Sequence, residues 1–321
     1  MEKKYILLIG GAGYIGSHVN KILNNQDYST IVYDNLSRGN REHVKWGKFI
    51  EGCISDTSKL DKLFKTYNVF CVMHFAAFAY VGESIMDPSI YYTNNVANTI
   101  DLLNTMRFNN IKNFIFSSTC ATYGVPTSLP IFEDMEQKPI NPYGRSKLMI
   151  ENIIEDYRSS YNLNYVNLRY FNAAGCDPEG EIGELHDPEP HLIPKAIKAC
   201  INEVPLEIYG NNYNTKDGTC IRDYIHVMDV GFAHFRALKY LKHGSNSFNL
   251  GLGKGYSVME IVRTIEKVLN KNIKLNIVDA RKGDPPELYT SNKKARELLN
   301  WNPTFINLQD IIESAINWIL K

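Results

Sequence analysis

The sequence predicts an α/β chain in which a doubly wound parallel sheet is followed by a smaller C-terminal α/β domain. Three observations lead to this. Short apolar, β-branched or aromatic runs alternate with longer segments of helical period through the first half, the pattern of βαβ units. Several of those runs are apolar throughout, as strands covered by helices on both faces must be. A glycine cluster stands where the first run passes into the first helical segment.

Strands are expected at residues 5–9, 30–33, 48–50, 69–74, 113–117 and 165–170, with helices around 15–24, 60–67, 89–109 and 142–161. The charged start and apolar 5–9 imitate a secretory leader. Gly10-Gly11 ends that stretch short of the roughly 7–15 residues a leader carries, so it reads as a strand. Beyond Asn172 the character changes, because 177–190 gathers acids, Gly and Pro without apolar period and reads as a long loop. The expected division is 1–172 and 173–321, with segments near 222–245 packing back on the first unit. At the far end Leu308, Ile311, Ile312, Ala315, Ile316 and Ile319 recur at helical spacing and supply core to a closing helix.

With 321 residues, 44% hydrophobic and 22% charged, the chain has the composition of a globular protein of about two domains, not of a disordered, collagen-like or coiled-coil one. Thirty-five Lys and Arg balance thirty-five Asp and Glu, which leaves no electrostatic excess for a nucleic-acid backbone. The six cysteines, Cys53, Cys71, Cys120, Cys176, Cys200 and Cys220, lack a C-x-x-C pair and a His at zinc spacing. They read as reduced thiols of a cytoplasmic protein without a metal. No apolar run approaches the roughly 18 residues of a spanning helix, so no membrane partner is expected.

Gly10, Gly13 and Gly16 stand in a G-x-x-G-x-x-G spacing that follows the first strand and opens the first helix. Missing side chains let the backbone turn sharply and approach a pyrophosphate, whose charge is met by free N–H groups at the helix start. Asp34 lies 18 residues beyond Gly16 at the end of the second strand, where a carboxylate accepts ribose hydroxyls. It favours NAD over NADP by repelling a 2′-phosphate. Arg38 close by leaves NADP open, and a plain strand-ending turn at Asp34-Asn35 is the alternative.

Tyr143 and Lys147 are four apart on a predicted helix, so both side chains leave one face. A free phenol, with a pKa of about 10, is a poor base at neutral pH, but a neighbouring ammonium and a positive nicotinamide favour the phenolate. Tyr143 would then take a proton from a sugar hydroxyl; the alternative is a surface helix with an exposed lysine. Residues 116–124 cluster hydroxyls at the end of the fifth strand, where ligands of doubly wound sheets bind. There Thr119 would either relay protons to Tyr143 or cap its own loop.

On these motifs the chain resembles the short-chain dehydrogenases/reductases of the extended, Rossmann-type class, and among them the UDP-glucose 4-epimerases. Further matching stretches are His74-Phe75-Ala76-Ala77, Val81-Gly82-Glu83-Ser84, Tyr91 to Val96, Arg169-Tyr170-Phe171-Asn172, His191-Leu192-Ile193-Pro194, Asp217 to Val227, Arg281 to Pro285 and Leu299 to Pro303. The resemblance implies an isomerase of carbohydrate metabolism. Tyr143, Lys147 and Thr119 would be catalytic. NAD would be held by Gly10, Gly13, Tyr14, Ile15, Gly16, Asp34, Asn35, Ile54, Phe75, Ala76, Ala77, Asn94, Tyr143, Lys147 and Phe171. A UDP-sugar would meet Thr119, Asn172, His191, Leu192, Tyr209, Arg222, Arg281, Asp284 and Leu288, with the arginines on the diphosphate; isolated surface salt bridges are the arginines' alternative. It also implies a homodimer formed through the helices at 89–109 and 142–161. Residues 1–172 would bind NAD and 173–321 the UDP-sugar.

Four positions depart from the family pattern. Cys53 stands where an adenine-binding Asp is usual, Ala79 where some members have Lys, Ile9 where Thr is frequent, and Thr119 where some have Ser. The expected reaction is reversible 4-epimerisation of a UDP-hexose through a 4-keto sugar. The alternative, 4,6-dehydration or decarboxylation of a nucleotide sugar, uses a carboxylate just after the residue matching Thr119, and this chain has Cys120 and Ala121 there. By resemblance Leu288 sits where a bulky Tyr restricts some relatives to glucose and galactose and smaller residues admit N-acetylhexosamines.

Overall fold

The computed structural model describes residues 3–280 and 284–321; Arg281 lies outside them. In chain order β1 (Tyr5–Ile9), α1 (Tyr14–Asn25), β2 (Ser29–Asp34), β3 (Lys48–Glu51), α2 (Thr57–Thr66) and β4 (Val69–His74) open the fold. They are followed by α3 (Val81–Met86), α4 (Pro88–Tyr91), a π-helical segment (Tyr92–Ala97), α5 (Asn98–Phe108), β5 (Asn113–Thr119), α6 (Pro142–Tyr161) and β6 (Asn164–Tyr170). Next come β7 (Asn172–Ala174), α7 (Leu192–Asn202), β8 (Leu206–Tyr209), β9 (Ile221–Arg222), β10 (Tyr224–His226), α8 (Val227–Tyr240) and β11 (Asn246–Leu250). The chain closes with β12 (Tyr256–Ser257), α9 (Val258–Leu269), β13 (Leu275–Val278), β14 (Glu287–Leu288), α10 (Lys293–Leu299) and α11 (Leu308–Ile319).

One seven-stranded sheet, in the order β11-β6-β5-β4-β1-β2-β3, organises the molecule, and every pairing in it is parallel. Strand β1 shows why its strands read as unbroken apolar runs. Ile6 and Leu8 pack into the core on one face, and Leu7 and Ile9 into the core on the other. A third core, built from α7, α9 and α11, holds Ile193, Ile197, Ile261, Ile311 and Ile312. The six sequence-expected strands match within one or two residues. Strand β11 was not expected, because Asn246, Ser247 and Asn249 hide its strand character. Their polar groups are paired inside the fold: Asn167 Nδ2 donates to Ser247 Oγ at 3.1 Å, and Tyr123 Oη donates to Asn249 Oδ1 at 2.8 Å.

The helix expected at 89–109 is interrupted by the π segment Tyr92–Ala97. Asn95 accounts for its position. Its side chain accepts from Phe78 N, donates to Phe78 O and donates to Ser146 Oγ, at 2.9, 3.0 and 3.1 Å, so the widened turn ties the chain beyond β4 to α6. Such π turns mark functional regions. Helix α6 starts where its sequence dictates: Asn141 Oδ1 accepts from Gly144 N at 2.8 Å, and Pro142 stands at the first helical position. It is clamped to the sheet by Glu151, which receives Arg169 Nη2 at 2.6 Å and Nε at 3.0 Å, both side chains being buried. Replacing Glu151 with Ala leaves the guanidinium buried without its carboxylate and is expected to cost about 3–5 kcal/mol in urea unfolding. A loss under about 1 kcal/mol would mean the pair acts like an exposed one.

Candidate active site

The expected cofactor residues meet along the carboxyl edge of the sheet, at the ends of β1 to β6, where doubly wound folds bind ligands. Gly10 has φ +77°, and a Cβ there would fall 2.4 Å from Ala76 N, because Phe75 N and Ala76 N both donate to Ile9 O across the turn. A Cβ on Gly16 would lie 2.4 Å from Gly10 O. These two glycines therefore let strand and helix close on each other. Gly13 is different: its Cβ would meet nothing nearer than Gly10 O at 3.4 Å, and no side chain caps α1. The first turn of α1, with Tyr14 and Ile15, so presents backbone N–H groups and the positive end of the helix dipole to whatever occupies that side. This arrangement fits the pyrophosphate of NAD.

Asp34 is buried at the end of β2, where its two oxygens accept from Ala12 N at 2.9 Å and Leu36 N at 2.8 Å. Burial raises its pKa despite those bonds, and the remaining lone pairs suit ribose hydroxyls. Asn35 is exposed beside it. Arg38 is committed elsewhere, to Glu83 at 2.6 Å and to the faces of Phe78 and Tyr80, which removes the reason for leaving NADP open. Ile54 is buried, and Cys53 contributes its backbone carbonyl to Tyr33 Oη at 2.9 Å. Ala77 is partly buried, and the Asn94 amide donates to Asn95 at 3.0 Å.

Tyr143 and Lys147 project from one face of α6 into the sheet edge. Lys147 is only 4% exposed, so the surface-lysine alternative fails. Its Nζ donates to Ser117 O at 2.8 Å and lies over the Phe116 ring. Burial lowers it to about 7, with Glu151 one turn further on opposing the shift. Tyr143 is pushed the other way, up to about 12, by burial first, while a hydrogen bond with the Thr119 side chain lowers it. The spacing predicts that the ammonium, together with a positive nicotinamide, favours the phenolate. In the structure the ammonium is turned to Ser117, and Thr119 is the side chain that favours the phenolate. Thr119 also fills its other expected role: its Oγ1 accepts from Ala121 N at 3.1 Å. A hydrogen bond to Tyr143 and the loop cap coexist at Thr119.

On the sugar side, Phe171 packs with Tyr123 and Ile131, and Cys120 and Leu288 border the same cluster. Asn172 N donates to Asp223 O at 2.9 Å. Arg222 and Asp284, both expected to meet substrate, are bonded to each other. Tyr209 Oη donates to Glu207 at 2.8 Å. His191 stands just before Leu192, the first residue of α7, and its Nδ1 lies 2.5 Å from Glu184 and 3.2 Å from Glu189. Burial would lower it, but the two carboxylates raise it to about 10. The sequence reading did not single out Glu151, Asn95, Glu184, His186 or Glu189. Glu151 was accessible from spacing, since 143, 147 and 151 share a helix face.

The edge is that of a dinucleotide-dependent enzyme acting on a hydroxyl-bearing carbon. Residues 6–251 match the NAD dependent epimerase/dehydratase family, and the chain belongs to that family. It is 47% identical over 321 residues to the UDP-glucose 4-epimerase of Rhizobium meliloti (strain 1021), which covers 99% of this chain and 98% of that protein. The structure of UDP-glucose 4-epimerase from Brucella ovis in complex with NAD matches with a TM-score of 0.95 at 49% identity, over 98% of both chains. The Bifidobacterium longum UDP-glucose 4-epimerase in complex with NAD+ and UDP matches at 0.94 and 35% identity, over 98% of both chains.

The lysine gives a pH test. Its folded value, about 7, lies below its unfolded value, so above pH 7 the unfolded chain binds the extra proton and wild-type stability rises with pH. Against Lys147→Met, dinucleotide-stripped wild type should gain of order 3 kcal/mol between about pH 7 and pH 10 in urea unfolding. A gap that does not change with pH contradicts the depressed lysine.

Proposed function

We propose that the chain catalyses the reversible 4-epimerisation of a UDP-hexose with NAD retained through turnover. The observation that carries this is the convergence of Thr119, Tyr143 and Lys147 at the sheet edge that also bears the glycine turn and Asp34. Asp34 and Asn35 hold the adenosine ribose, the glycine turn with Tyr14 and Ile15 the pyrophosphate, and Ile54 lines the adenine side. Phe75, Ala76, Ala77, Asn94 and Lys147 line the nicotinamide ribose, with Phe171 beside the ring. When bound, NAD would supply the acceptor, and afterwards the donor, for the hydride of sugar carbon 4. Tyr143, as phenolate, removes the proton of the hydroxyl on that carbon, with Thr119 in the proton path. The 4-keto sugar turns its other face while Asn172, His191, Leu192, Tyr209, Arg222, Arg281 and Asp284 keep UDP anchored. Tyr143 then restores the proton as the inverted centre forms, and no net redox change results.

Dehydration or decarboxylation is disfavoured because the residues after Thr119 are a thiol and a methyl group. Burial raises the Cys120 thiol to about 12, so it supplies no anion. The NAD side is built on 1–172, with α8 and β11 completing its core and sheet, and the UDP-sugar side is drawn from the rest of 173–321. The chain pairs with a second copy through α5 and α6, where Phe108, Met149 and Tyr161 are exposed. Our reading of cytoplasmic residence rests on six cysteines scattered without a C-x-x-C pair; among the described residues no helix is long and apolar enough to cross a membrane.

Purified protein given UDP-galactose without added NAD should yield UDP-glucose; no conversion rejects the proposal. Tyr143→Phe should fold, retain dinucleotide and lose about 10²–10⁴ of turnover, and near-normal kcat would reject the phenol as base. Leu288→Tyr should suppress any turnover of UDP-N-acetylgalactosamine and spare the glucose pair. Unchanged selectivity would remove Leu288 as the gate.

A further inference from the structure

The loop between β7 and α7 brings together Glu184, His186, Glu189 and His191, whose ligating atoms all lie within 4.8 Å of one another. We propose that these four side chains bind one divalent transition-metal ion, Zn2+ being the best match to their chemistry. His191 Nδ1 lies 2.5 Å from Glu184 Oε1 and 3.2 Å from Glu189 Oε1, and His186 Nδ1 lies 3.2 Å from Glu184 Oε1 and 3.8 Å from Glu189 Oε2. A tetrahedron with bonds of ~2.0–2.1 Å has an edge of about 3.3 Å, so the His191–Glu184 contact must open by less than about 1 Å to admit the ion. Two imidazoles and two carboxylates form a mixed nitrogen–oxygen set that suits zinc and its neighbours, whereas calcium and magnesium take oxygen ligands. Two carboxylates also neutralise the ion.

A second observation points the same way. The Glu184 side chain is 6% exposed, yet neither its Oε1 nor His186 Nδ1 has a hydrogen-bond partner of acceptable geometry. Glu184 Oε1 is held by charge attraction to His191 Nδ1 at 2.5 Å and His186 Nδ1 at 3.2 Å without directional alignment, and lone pairs converging in this way are what a shared ion between them would satisfy. The neighbouring acidic group makes a contrast. Asp177, Glu179 and Glu181 also converge, but the Lys21 ammonium already sits among them at 2.8, 2.5 and 2.8 Å.

The ion would brace a loop without regular secondary structure. His186 packs edge-on against Tyr14 of α1 and Tyr80, and the loop runs directly into His191 and Leu192. Both histidines bind through Nδ1, which leaves His191 Nε2 outside the metal set.

The test uses the full chain, freed of metal with a chelator and then titrated with Zn2+ and separately Co2+. Glu184→Gln and His186→Ala serve as variants, and each is first shown by circular dichroism and thermal melting to be folded; if one fails to fold, the other carries the comparison. Wild type should bind one Zn2+ and melt higher with it, and each variant should bind at least tenfold more weakly. The Co2+ form should show visible d–d bands without the near-ultraviolet sulfur-to-metal charge-transfer band. Equal zinc binding by the folded variants, a sulfur charge-transfer band, or no stoichiometric binding would overturn the site; the last would leave the four groups as an ion-paired quartet.

Discussion

Burial of a phenol and an ammonium one helical turn apart is the constraint on which the rest of this structure depends. Removal from water disfavours both charged forms, so the phenol rises to about 12 and the ammonium falls to about 7. Left to themselves, the phenol stays protonated at neutral pH and the ammonium is near its midpoint, so neither supplies a strong base there. The hydroxyl of Thr119 moves Tyr143 part of the way back. We propose that a positive charge beside the phenol, which an oxidised nicotinamide would supply and a reduced one would not, completes the shift. On that proposal, base strength at Tyr143 would be linked to the cofactor oxidation state in which a base is needed.

The scaffold serves that linkage. Helix α6 is pinned by Glu151 to Arg169 on β6 and by Asn95 to the chain beyond β4, so the face bearing Tyr143 and Lys147 cannot slide along the sheet. The glycine turn is closed against the same β4 exit through Gly10. Cofactor cradle and catalytic helix are therefore referenced to one strand end, as near-attack geometry requires.

Much of this was legible in the sequence for physical reasons. Strands buried on both faces cannot alternate in polarity, so β1, β4 and β5 announced themselves. Gly10 was readable because a tight turn at a close backbone approach tolerates few substitutes, and Asp34 because an acid ending an apolar strand stands out. Strand β11 was hidden because an edge strand can bury Asn and Ser through side-chain pairing. The π segment was hidden because one asparagine, Asn95, bonds across the fold to residues distant in sequence. The sequence presents 177–190 as a long acidic loop and His191 as a substrate contact, because the spacing of these His and Glu residues matches no familiar metal motif; only folding shows that the four side chains face one another. The direction of the Lys147 ammonium, toward Ser117, also lay beyond any spacing rule.

The measurement that tests the central claim most directly is the ultraviolet ionisation difference spectrum of Tyr143, taken as wild type minus Tyr143→Phe, with the bound dinucleotide oxidised and then chemically reduced. The account predicts a phenolate midpoint near neutrality in the oxidised form and one displaced well above pH 10 after reduction. The same midpoint in both forms would contradict it.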